Sequence, residues 1–185
     1  MSMYSIALYV HILGAVGLFA GLGMEGIIYK NLQTASTPPQ LFSWGIFLKS
    51  LRTVFLSSTL LLLVAGIFMV IESWTWNAWD ITGLVLLIAL AVFGSVSGKK
   101  IGMTIGSLRG TEGPITDEVK NKITNPFIMR SYKVKITLAL GIIFIMTIKP
   151  DWAGTIISIV AAFVIGLLLD LPGKQKAEVK ELESA

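Results

Sequence analysis

Residues 52–71 read RTVFLSSTLLLLVAGIFMVI. After the opening arginine this stretch carries no charge for nineteen residues. Twenty helical residues rise about 30 Å, which is the thickness of a bilayer's hydrocarbon core. The run therefore reads as a transmembrane helix, and four others resemble it: Tyr4–Ile28, Asp80–Gly98, Val134–Ile148 and Trp152–Leu169. Together they predict an all-α fold, a polytopic transmembrane bundle of about five spans. Residues 1–171 form one membrane domain, and residues 172–185 form a polar cytoplasmic tail. Val134–Ile148 is short for a span unless Lys133 and Lys135 reach out to the headgroups. Leu41–Leu51 reads either as an interfacial helix or as an extension of the second span.

Composition supports that solvent. Hydrophobic residues make up 54% of the 185 and charged residues 14%, whereas soluble domains carry about 25% charge. There is no cysteine, which excludes disulfides, thiolate metal sites, iron–sulfur clusters and cysteine nucleophiles. The formal charge of +4 lies in the loops between apolar runs, where it points to anionic lipid and the cytoplasm rather than to nucleic acid. The first run has no basic residue before it and is too long for a signal-peptide core, so it reads as an uncleaved span.

The loops set an expected orientation. Residues 30–52 contain Lys30, Lys49 and Arg52 without an acid. Residues 99–135 contain eight bases against Glu112, Asp117 and Glu118. The connection 72–80 has Glu72 and Asp80, no base, and Trp74, Trp76 and Trp79. Bases mark the cytoplasmic side and tryptophans an interface. The N-terminus is then expected outside and the C-terminus inside.

Small residues form two patterns. Gly94, Gly98, Gly102, Gly106 and Gly110 recur every four residues, which places them on one helix face. They predict a helix-packing surface, or alternatively a homo-oligomer interface, a membrane-partner interface or a backbone cleft for a ligand. The third helix is expected to continue to about Arg109. Gly14, Gly17, Gly21, Gly23 and Gly26 cluster in the first span. In the long loop, Thr116 is placed to cap a short helix with Asp117 and Glu118 in its first turn, ended by Pro126. No P-loop is present.

His11 is the only histidine, about 10 Å into the first span. An imidazole at that depth needs a partner. Met69 and Met146 close the second and fourth spans and fall in the same outer half as His11; Glu72 is also outer. His with Met ligates haem iron in some proteins, and His with thioethers holds Cu(I); packing is the alternative for both methionines. One histidine excludes bis-His haem ligation within a monomer. Glu25 lies about 21 Å along the helix from His11. Its expected partner is Arg52, with Lys30 and Lys49 as alternatives, forming an ion pair or a proton or cation site. Ser57, Ser58, Thr59, Ser95 and Ser97 are expected to bond backbone carbonyls or neighbouring helices, and Asp170 to lie at an interface. With a single histidine, no hydrolase triad is indicated.

Val10-His11-Ile12-Leu13-Gly14-Ala15, Arg52 at the head of the second span, and Phe144-Ile145-Met146-Thr147-Ile148-Lys149-Pro150 resemble a family of small bacterial integral membrane proteins without settled activity. That family is distantly similar to the copper-resistance D and membrane protoporphyrinogen-oxidase groups. The resemblance implies a four- or five-helix bundle in a bacterial inner membrane, with metal or haem chemistry at His11. Three functions follow as expectations: a haem- or copper-binding membrane protein, a small transporter component using Glu25, Arg52 and the glycine groove, or a non-catalytic assembly partner.

Overall fold

In a computed structural model, residues 2–73, 76–108 and 115–169 are described, and every regular element among them is an α-helix. The helices are α1 (Met3–Thr34), α2 (Pro38–Ser73), α3 (Ala78–Gly106), α4 (Asp117–Ile123), α5 (Pro126–Ile148) and α6 (Trp152–Leu168). Trp74, Arg109, Gly110, Glu112, Asp170 and the tail 172–185 lie outside the described residues.

Four helices are long and apolar enough to cross a membrane, and Trp152–Leu168 is a shorter apolar helix. In each of the four apolar windows no more than 33% is buried inside the chain. The remaining apolar surface, which includes Val16, Val64, Val85 and Ile157, needs lipid around it rather than water.

The helices outrun the spans read from hydropathy. At 1.5 Å per residue α1 and α2 are about 48 and 54 Å long, well beyond the apolar core of a bilayer. Leu41–Leu51 is an extension of α2, and α3 continues past Lys99 to Gly106. The fourth span gains a long entry: α5 starts at Pro126, whose missing N–H suits a first helical position, and Asn125 accepts from the Phe127 amide at 2.9 Å. Beyond the apolar segments the protruding ends build their own core, in which Ile28, Leu32, Leu41, Leu48, Ile105 and Ile123 are buried together. Thr116 is the N-cap residue of α4, but its side chain makes no cap hydrogen bond. That end is held by the acidic first turn and the Glu118–Lys122 ion pair at 2.7 Å.

At the other end of the bundle, turns replace protruding helices. The Asn77 amide donates to the Asp80 carboxylate at 3.0 Å, which is one half of a capping box and fixes the start of α3. Lys149 takes a left-handed φ of 53° that closes α5, and Asp151 caps α6 by accepting from the Gly154 amide at 2.8 Å. The Lys149 ammonium lies 5.0 Å from the Trp79 ring centroid, tying this turn to the head of α3.

Between the two ends, small residues set the packing. A Cβ on Gly14 would stand 3.0 Å from Leu62 Cγ, and one on Gly17 would overlap the Ser58 hydroxyl. Gly14, Gly17 and Gly21 thus let α1 lie close along α2. Gly141 faces Ala162, where an added Cβ would come to 3.0 Å, and Gly166 faces Thr137 and Val134, joining α5 to α6. Helices in lipid associate through such close contact.

Candidate functional site

The residues singled out by sequence fall into two places. The first is a cavity of about 310 Å³ at the Trp76 and Trp79 end, and its walls include His11, Met69, Met146 and Asp80. Four helices supply these side chains: α1, α2, α5 and α3. His11 lies against α2, where a Cβ on Gly66 would stand 3.4 Å from its Cε1 and 3.5 Å from its Nδ1. A glycine one turn after Leu62 gives the imidazole room beside the helix backbone. His11 Nδ1 is buried and has no hydrogen-bond partner. Met69 is 3% exposed. The Met146 methyl sits where a side chain on Gly83 would be. An imidazole with a buried nitrogen that makes no hydrogen bond and two thioether side chains therefore share one small apolar chamber.

The donor types limit which ligands could suit the cavity. No group of three or more His, Cys, Asp or Glu side chains that could hold a metal occurs among the described residues. Hard cations that need several oxygens find no such cluster. Imidazole with thioethers suits a soft ion, above all Cu(I). Asp80 reaches the cavity, but its carboxylate accepts from the Asn77 amide and side chain at 3.0 and 3.3 Å.

The second place centres on Glu25. Its partner is Lys135 of α5, in a buried ion pair, and the expected pairing with Arg52 is not formed. The expected reach of Lys135 to the headgroups is likewise replaced: this residue is 3% exposed. The Tyr29 hydroxyl donates to the same carboxylate oxygen at 2.6 Å. The Tyr29 and Tyr132 rings meet edge to face, with centroids 5.8 Å apart. The Tyr132 hydroxyl occupies the space that a side chain on Gly26 would need. Two charges buried together require this kind of surrounding hydrogen bond and close packing.

Glu25 also borders a groove of about 630 Å³ between α2 and α3. Arg52 lines the same groove, as do Gly94, Gly98, Gly102 and Gly106. Here the packing expectation is corrected. A Cβ on Gly98, Gly102 or Gly106 would meet nothing within 4 Å, and one on Gly94 only Phe55 at 3.9 Å. From Gly94 to Gly106 the ladder therefore forms an open floor, touched by α2 only at Phe55; Gly110 lies outside the described residues. The packing glycines lie elsewhere: Gly14, Gly17, Gly21 and Gly26 in α1, and Gly141 and Gly166 in α5 and α6.

Among the hydroxyls, Thr59 donates to the Phe55 carbonyl at 2.8 Å and Ser57 to the Val54 carbonyl at 3.0 Å, as their positions in a helix suggest. In comparison with known proteins, the chain matches no family model, no curated protein and no solved structure.

Proposed function

We propose that this chain is a five-span protein of a bacterial inner membrane, with its N-terminus outside, that binds a cuprous ion in the cavity of His11, Met69 and Met146. The observation that carries the reading is the buried, unpartnered His11 Nδ1 in a chamber that also takes both thioethers. His11 would give its Nδ1 lone pair, and Met69 and Met146 their sulfurs. A neutral imidazole and two thioethers add no charge, so a monovalent soft ion is the species they suit best. The ion would supply a redox-active or transferable centre at the outer face. The volume of about 310 Å³ sits at the small end of organic-ligand sites, which favours an ion over a haem macrocycle.

The orientation rests on the bases. Removing the buried Lys135 from the count still leaves seven in residues 99–135 and three in residues 30–52, against none in the connection 72–80. The α6 helix, at about 26 Å, crosses with Asp151 and Trp152 at one boundary.

The test is metal analysis with an absorption spectrum of protein purified in mild detergent after copper loading. Near-stoichiometric copper that is lost in His11→Ala supports the reading. A Soret band that His11→Ala abolishes replaces copper by haem with the same residue as ligand. Equal copper in both proteins removes His11 from the site.

A further inference from the structure

The groove between α2 and α3 presents three cations to an apolar channel. Lys49 and Arg52, one helical turn apart on α2, and Lys99 on α3 all line it. Among the described residues none of the three is in an ion pair, and the one acid on the wall, Glu25, is committed to Lys135. The remaining wall is mostly apolar and includes Leu51, Phe55 and Leu56 of α2 and Ile105 of α3.

The depth of this charge can be read along the helices. Arg52 lies about 30 Å from Glu72 on α2, and Lys99 about 28 Å from Asp80 on α3. Both therefore stand one hydrocarbon thickness from the opposite boundary, at the level of lipid headgroups. The glycine floor from Gly94 to Gly106 runs about 18 Å across that level.

We infer that this groove is a binding site for one anionic phospholipid, with the phosphate between Lys49, Arg52 and Lys99, the headgroup over Gly102 and Gly106, and an acyl chain passing Gly98 and Gly94 toward the bilayer core. Charge complementarity selects the occupant. A second apolar helix could lie on the glycines but would leave three cations at the groove without an anion. An anionic lipid answers both the charge and the apolar channel, and basic pockets between helices at a membrane surface recognise such headgroups. Without a Cβ at Gly98, Gly102 and Gly106, the lipid's headgroup and the start of its chain can lie directly on the α3 backbone. The site is separate from the His11 cavity and does not depend on which way the protein faces.

The experiment is native mass spectrometry of the full chain in neutral detergent, with phosphatidylglycerol and phosphatidylcholine of the same chain length supplied in equal amounts. The wild type should retain a single phosphatidylglycerol with a several-fold preference over phosphatidylcholine. Lys49→Ala/Arg52→Ala/Lys99→Ala should abolish the preference, while Lys122→Ala on α4 should keep it. Gly98→Leu, which fills the floor and leaves the cations in place, should lose the bound lipid. Arg52→Gln and Gly102→Leu repeat the two arms should either of the first variants fail to fold, as judged by gel filtration. Equal retention of both lipids by the wild type, or an unchanged preference in the triple variant, overturns the inference. A protomer number that falls in Gly98→Leu while lipid retention stays constant assigns the groove to a second copy of the chain and also overturns it.

Discussion

Glu25 and Lys135, 110 positions apart in sequence, form a buried ion pair that joins α1 to α5. Both side chains lie in helices that carry candidate membrane spans, and each is the other's only charged partner among the described residues. Removing one partner from such a pair leaves an uncompensated buried charge, at about 3–5 kcal/mol. Glu25→Gln and Lys135→Met are each expected to lower stability by about that amount. The double variant, which buries no charge, should recover most of the loss. Thermal unfolding of the four proteins in one detergent checks this, and additive losses would remove the pair from the fold's support.

Tyr29 supplies the carboxylate's other hydrogen bond from one turn along α1. A hydrogen bond to a charged group contributes about 1.5–3 kcal/mol, so Tyr29→Phe should destabilise by about that much. In the Glu25→Gln background the same change should cost less, because its partner is no longer charged. The same unfolding assay reads both.

The two glycine sets should respond oppositely to alanine. At Gly17 an added methyl overlaps the Ser58 hydroxyl, and overpacking costs about 1–3 kcal/mol. At Gly102 nothing lies within 4 Å, so alanine should stabilise the helix by its propensity, about 0.5–1 kcal/mol. Melting temperatures of Gly17→Ala and Gly102→Ala in lipid-free detergent should move in opposite directions.

Orientation can be measured directly because the chain has no cysteine. Ser2→Cys caps α1 on one side, and exposed Ser36→Cys sits in the turn before α2 on the other. A membrane-impermeant thiol reagent should label Ser2→Cys in intact spheroplasts and Ser36→Cys only after lysis. The reverse pattern would invert the proposed topology.

Hydropathy made the helices legible, since an uncharged run of bilayer length has few other solutions. The depth argument, which counts residues from a span's end, placed His11, Met69 and Met146 in one half of the bilayer, and these three line one cavity. Depth says nothing about which way a side chain points around its helix, and that is where the sequence reading failed. Lys135 looked free to reach the headgroups, while Arg52 stood nearer to Glu25 in sequence; helix rotation put Lys135 inside and Arg52 on the groove wall. Similarly, a spacing of four set the glycine ladder on one face, but only the arrangement of α2 beside α3 showed that this face stays open. The Tyr29 contact was visible in principle, since Glu25 and Tyr29 are four apart on one helix.

The most direct measurement is a cuprous titration of metal-free protein against a chromogenic Cu(I) chelator, comparing wild type, His11→Ala and Met69→Leu/Met146→Leu. One tight site in the wild type, weakened at least tenfold in both variants with the fold intact, is the expected result. A wild type that competes no better than the two variants would contradict a copper site at His11.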